Sequence, residues 1–374
     1  MTSLTPGERT VRWLTGGEVD RPPFWYNLGW FPWGMTLEQW KKETGNPKLD
    51  IFTELGFEPG FDHPRVQLGI FPAFEHVVLR EETDTVVYRD ARGITMRNRR
   101  DGNSMPEFLE YPVKTPGDWE QLKAERLRIG DPSRITEDLS AFRDRVRAAG
   151  HAVQVGGFPF GAFGTPRDLL GVEALLIGFY EYPDMIRDMI QHLTGVWLAV
   201  MEQVAAVVPI DHIHIWEDMS GRQGSLISPA MVESFMMPAY DRIRAFARAH
   251  NVRIISVDTD GDCSELVPIM MRHGVNLFLP FEVQAGNDIR AYRKQYPELA
   301  IVGGLDKRAL AGSRARLDAE LHKAEWMLAH GRYAPGFDHL IPPDVPWEAY
   351  RYAAERVRTM CMNFKPKQGA PSCH

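Results

Sequence analysis

The chain has 374 residues, 44% of them hydrophobic, with a formal net charge of −7 and an isoelectric point near 6.0, which is enough apolar material for a large α/β core. Its Lys and Arg residues are scattered, so nucleic acid is excluded as the main partner. No apolar run has the roughly 18 residues that a membrane span needs. Its three cysteines, Cys263, Cys361 and Cys373, have no regular spacing, which excludes a disulfide framework and a thiolate-rich zinc site; without an apolar leader, the expected location is the cytoplasm.

In chain order, a short helix is expected over residues 8–14, closed by Gly16-Gly17. Pro22-Pro23 introduces an aromatic strand at 24–27, then a loop rich in aromatics and glycine at 28–34 and an amphipathic helix at 36–45. Residues 75–80, 83–90 and 94–99 alternate and carry β-branched side chains, which predicts an antiparallel meander inserted over 66–100. A linker at 106–118 and polar helices at 117–127 and 135–149 follow.

From residue 150 the pattern becomes regular. Strands are expected at 151–157, 211–216, 253–257, 275–279, 299–302 and 332–335. Between them lie helices opening at Thr165-Pro166, Pro183 and Ser228-Pro229, then helices ending at His273 and covering 287–295 and 313–330. A last helix takes 346–362, and 363–374 reads as a disordered tail. Strand, polar end and helix in repetition predict an α/β fold: a parallel (β/α)8 TIM barrel over 1–374, with an N-terminal extension and a small antiparallel β insertion. A doubly wound sheet would carry a glycine-rich phosphate turn after its first strand. The nearest string, Gly156-Gly157-Phe158-Pro159-Phe160-Gly161, lacks that spacing.

Functional side chains of a parallel barrel gather at the C-terminal ends of its strands. Glu217-Asp218, Asp258 with Asp260, Glu282, Asp306 and Asp338-His339 close successive strands here. Two readings stand for Asp258, Asp260 and His339. In one they hold a divalent metal, with Glu217 as a fourth ligand, and polarise a substrate oxygen. In the other the aspartates cap a helix opening at Gly261 and His339 is a core residue. Glu217 and Asp218 are either functional or paired with Arg222, Lys307 or Arg308. His212 and His214 share one strand face, too early for the mouth, which suits a supporting or core role. Asp306 and Lys307 are expected to form an ion pair. Tyr26, Trp30, Phe31 and Trp33, joined by Phe158, Phe160 and Phe163, either wall an apolar ligand pocket or plug the barrel.

Several segments resemble the uroporphyrinogen decarboxylase superfamily: Gly7-Glu8-Arg9 with Val19-Asp20-Arg21-Pro22-Pro23, Ser228-Pro229 with Phe235-Met236-Met237-Pro238, Gly303-Gly304-Leu305-Asp306, and His339 through Pro346. The decarboxylase proper carries an arginine-containing segment after its first strand that binds substrate carboxylates. Here that place reads Asn27-Leu28-Gly29-Trp30-Phe31-Pro32-Trp33. The chain is therefore more similar to the corrinoid-linked methyltransferase branch, whose zinc-binding His-x-Cys pair and late cysteine correspond to Asp258, Asp260 and His339. The resemblance implies a metal-dependent O-demethylase, with zinc at Asp258, Asp260, His339 and Glu217. Asp218, Tyr240 and Glu217 would be its catalytic groups. Substrate would contact Tyr26, Asn27, Trp30, Trp33, Phe158, Phe160, Glu282, Asp306, Lys307 and Asp338. A methoxylated small molecule would give its methyl group to a corrinoid protein; a monomer or a homodimer suits the family. The other activity it implies is cofactor-free decarboxylation of a porphyrinogen or another acid.

Overall fold

The computed structural model describes residues 3–100 and 105–365. Its strands are β1 (Phe61–Asp62), β2 (Val77–Glu81), β3 (Thr85–Arg89), β4 (Thr95–Arg99), β5 (Glu107–Glu110), β6 (Ala152–Gly156), β7 (His212–Trp216), β8 (Ser220–Gly221), β9 (Gly224–Ser225), β10 (Ile254–Thr259), β11 (Leu277–Pro280), β12 (Ala300–Val302) and β13 (Tyr333–Ala334). Seven of them form one curled sheet in the order β1-β6-β7-β10-β11-β12-β13, every neighbouring pair parallel. Parallel sheets are buried on both faces, which favours strands that are largely apolar. β11 is buried along its whole length, and β10 carries Ile254, Ile255 and Val257 in the core.

The aromatic strand expected at 24–27 is reduced to a single bridging residue. Trp25 pairs in parallel with Glu58 just before β1, and Pro32 pairs in parallel with Ile341 after β13. Prolines at 22, 23 and 32 remove the ladder donors that a longer strand needs. Side chains take their place: Asn27 Nδ2 and Trp30 Nε1 donate to Pro335 O at 2.9 and 2.8 Å, and Trp13 Nε1 donates to Tyr333 O at 2.7 Å.

The insertion is a four-stranded antiparallel sheet, β2-β3-β4-β5. Its fourth strand, β5, lies in the expected linker. A helix at Val172–Glu181 also escaped the sequence pattern, which shows no clean polar face there. The helix expected to open at Thr165 begins at Gly164, and its cap comes from another strand, as described below. Of the expected tail, Phe364 packs edge-on against Trp13 with ring centroids 5.5 Å apart, while residues 366–374 lie outside the described residues. Among the described residues no helix is long and apolar enough to cross a membrane.

Candidate active site

β7 and β10 run side by side with Ser256 opposite His214 and Asp258 opposite Trp216. Alternation puts His212, His214, Ser256 and Asp258 toward one face. Ser256 Oγ lies 2.6 Å from His212 Nε2 and 2.7 Å from His214 Nδ1. His214 Nε2 in turn stands 3.9 Å from Asp258 Oδ2. Burial lowers the pKa of both imidazoles, that of His214 to about 4, with His63 adding to the effect. Two neutral histidines therefore lie beneath Asp258.

The ends of these strands are locked together. The backbone N–H groups of Glu217 and Asp218 donate to Asp258 O at 2.9 and 3.3 Å. Asp218 at φ 43° and Phe281 at φ 60° occupy the left-handed region, which costs non-glycine residues energy and concentrates at functional sites. Burial, reinforced by Asp260 and Asp218, pushes the Asp258 carboxyl up to about 8, against the opposing pull of His339. His339 Nε2 lies 3.4 Å from Asp260 Oδ2, and that contact raises the imidazole pKa. Neither aspartate caps a helix, because the next one begins at Leu266. Gly261 (φ 74°) takes the turn instead, where a Cβ would stand 2.5 Å from Gly221 O. Asp218 pairs with Arg167, and Lys307 Nζ is 4.0 Å from Glu282 Oε1. Glu282 Oε2 also accepts the Gly261 N–H at 3.0 Å.

Other expected site residues are placed elsewhere. Glu217 is fully buried; its Oε1 accepts from Ala162 N–H and Tyr240 Oη at 2.9 and 2.7 Å, and its Oε2 from Phe163 and Gly164 N–H at 2.6 and 3.0 Å. Burial raises its pKa, but four donors surround it and leave no acceptor for a carboxyl proton. Glu217 thus caps the helix at Gly164–Leu170 rather than facing a metal, and Tyr240 serves Glu217 rather than a leaving group. Asp306 pairs with Arg308 and Arg316 at 2.8 and 3.0 Å, not with Lys307. Asp338 is buried and accepts the backbone N–H of Val283 and Lys307 at 2.9 and 3.0 Å, which ties two strand-end loops together.

The aromatic residues divide in the same way. Trp30 is buried among Phe57, Phe337 and Tyr350, Phe160 packs on Trp197, and half-buried Tyr26 lies against Phe31 and Phe57. Asn27 is likewise buried, spending its side chain on Pro335 O and Gly29 N–H. These four are spent on packing with other side chains or on backbone hydrogen bonds. Phe158 and Trp33 remain exposed, at 52% and 41%.

The donor set does not fit a metal ion as it stands. Asp260 is engaged with His339, Asp258 faces His214, and Glu217 is consumed by backbone donors. Among the described residues no three His, Cys, Asp or Glu side chains converge to hold one. Elemental analysis of the purified protein is expected to give sub-stoichiometric zinc; one equivalent, lost on replacing Asp260 or His339 by Ala, would contradict this geometry.

The sequence reading missed Arg167, Ser256, Gln154 and the ion pairs of Arg92 with Asp90 and Asp168, at 2.7 and 2.6 Å. Only Ser256 carried a signal, as a polar residue inside an apolar strand two positions before Asp258.

Residues 66–360 match the family model described as uroporphyrinogen decarboxylase (URO-D). A solved structure of a methyltransferase from Methanosarcina mazei has the same fold, with a TM-score of 0.59, 17% identity, and 96% of this chain and 99% of that one covered. No protein of curated function matches in sequence. With most of its length matched by that model, the chain belongs to the uroporphyrinogen decarboxylase family.

Proposed function

We propose that the chain is a methyltransferase of the O-demethylase type, removing the methyl group of a methoxylated small molecule and passing it to a corrinoid carried by a separate protein. The 24–32 segment completes the sheet as an eighth member, and the reaction takes place at the mouth this creates. The observation that carries the proposal is Asp258: a shielded carboxyl that keeps its proton near neutral pH, next to the His339–Asp260 pair. Cleaving a methyl ether leaves an oxygen that needs a proton, and a positioned acid with a raised pKa supplies it.

A corrinoid bound to the separate protein would supply the electron pair that takes the methyl group. Asp258 gives its proton to the departing oxygen and becomes a carboxylate, so the substrate leaves as its alcohol or phenol. His339, held by Asp260, stabilises the new negative charge, and neutral His214 stands behind it. The divalent metal implied by the family resemblance has no part in these steps. The mouth offers little to a polycarboxylate, because Arg167 is paired with Asp218 and Lys307 is near Glu282. On the rim, Phe31 and Trp33 expose aromatic faces of the kind that interface cores favour.

Incubation with a methoxyarene and free cob(I)alamin tests the proposal. The expected result is enzyme-dependent loss of the cob(I)alamin absorption with release of the free phenol. Release of carbon dioxide from uroporphyrinogen, with no demethylation of any methoxyarene, would overturn it.

A further inference from the structure

Ser256, wholly buried in β10, joins His212 and His214 of β7: its Oγ lies 2.6 Å from His212 Nε2 and 2.7 Å from His214 Nδ1. A hydroxyl has one proton, so it donates to one ring and must accept from the other. Both rings are neutral, because burial disfavours their charged forms. Each therefore carries a single ring proton, and two arrangements satisfy both contacts. In the first, His212 Nε2–H donates to Ser256 Oγ, Ser256 donates to His214 Nδ1, and His214 carries its proton on Nε2. In the second every donor is reversed, and both rings carry their protons on Nδ1.

The far nitrogen of His212 decides between them. Its Nδ1 is buried and has no hydrogen-bond partner among the described residues. The in-register neighbours, Gln154 on β6 and Ile254 on β10, supply none, and the Phe61 ring lies against the imidazole with centroids 4.6 Å apart. The second arrangement would bury an unpaired N–H there, while the first leaves only a bare lone pair. Folded proteins tolerate an under-used acceptor more readily than an orphaned N–H. The first also keeps both rings in the form that a neutral histidine prefers, since Nδ1 is closer to the electron-withdrawing backbone.

In that arrangement His214 Nε2–H faces Asp258 Oδ2 at 3.9 Å. The gap is longer than a hydrogen bond, and it is of the kind that tightens once a carboxylate forms. An oxygen faced by a donor acts as an acceptor, so the proton of the Asp258 carboxyl belongs on Oδ1. We infer that Ser256 is a positioning residue: it holds His212 and His214 as Nε2–H tautomers, so that His214 presents a donor to Asp258 Oδ2 and keeps the acid's proton on Oδ1. The effect on catalysis rests on the methyl-transfer proposal; the tautomers do not.

Long-range proton–nitrogen NMR of the intact protein with isotope-labelled histidine tests this near neutral pH, where the shifts and couplings of the two ring nitrogens report the tautomer. The signals are assigned by their loss in His212→Gln and His214→Gln. Both rings are expected as Nε2–H tautomers. Ser256→Ala removes the lock, and the two His214 nitrogen signals are expected to move towards each other as the tautomers interchange. In turnover with a methoxyarene and cob(I)alamin, the same variant is expected to lower kcat about tenfold, the effect of one hydrogen bond, with KM unchanged. His214 found as the Nδ1–H tautomer or as imidazolium in the wild type overturns the inference, whether or not Ser256→Ala folds. So does a His214 pattern unaltered by Ser256→Ala. The expected tautomers without demethylation of any methoxyarene would sink the methyl-transfer proposal and leave the Ser256 assignment standing. Demethylation by a protein that holds His214 as the Nδ1–H tautomer would do the reverse.

Discussion

Asp258→Asn is expected to lose most methyl-transfer activity and yet to be more stable than the wild type. The loss should be about 10²- to 10⁴-fold in kcat/KM, the usual contribution of a general acid. The gain in stability follows from linkage. In water an aspartate titrates near ~3.9. In the folded chain burial and the neighbouring aspartates raise Asp258 to about 8. Between those two values the folded state holds a proton that the unfolded state has released, so stability falls as pH rises through that window. Asparagine cannot ionise and escapes the penalty. A higher denaturant midpoint than wild type at pH 8, with the difference shrinking as the pH is lowered towards 4, should accompany the loss of activity. A variant that is inactive because it is unfolded, or active at the wild-type rate, would contradict this.

Glu217→Ala is expected to have the largest structural effect of any substitution near the site. It strands three backbone N–H groups and the Tyr240 hydroxyl in a fully buried place. Each unpaired group costs about 1–3 kcal/mol, so a total of roughly 4 kcal/mol or more is expected, partly relieved if water enters. Tyr240→Phe removes one of those donors and should cost only about 1 kcal/mol. Urea denaturation of the three proteins gives the comparison. If Glu217 mattered chiefly as a metal ligand, the destabilisation of Glu217→Ala would vanish when wild type and variant are compared in chelator; it is expected to persist.

These two residues show what a sequence reveals about such a site. Repetition of apolar strand, polar end and helix is written plainly after residue 150, and it places Asp258, Asp260 and His339 at strand ends where they can meet. Their neighbours were not legible. Glu217 adjoins Asp218 in sequence, but its partners lie more than fifty residues earlier, at a helix start whose missing cap is apparent only in three dimensions. Asp306 looks equally able to pair with Lys307 or Arg308, and only the 3₁₀ turn at Lys307–Ala309 brings Arg308 round to it. The aromatic run after Pro23 was conspicuous, but composition cannot separate a pocket wall from a plug. Burial makes that distinction, placing Trp30 and Phe160 in the core and leaving Phe158 at the rim.

The pH dependence of kcat/KM for demethylation, measured with free cob(I)alamin as acceptor, tests most directly whether Asp258 is the acid. A single ionisation near the value of about 8 raised by burial is expected, with the rate falling about tenfold per pH unit above it. The residual activity of Asp258→Asn should lack that ionisation. A rate that stays flat through this range in the wild type, or an unchanged alkaline limb in Asp258→Asn, would contradict the assignment.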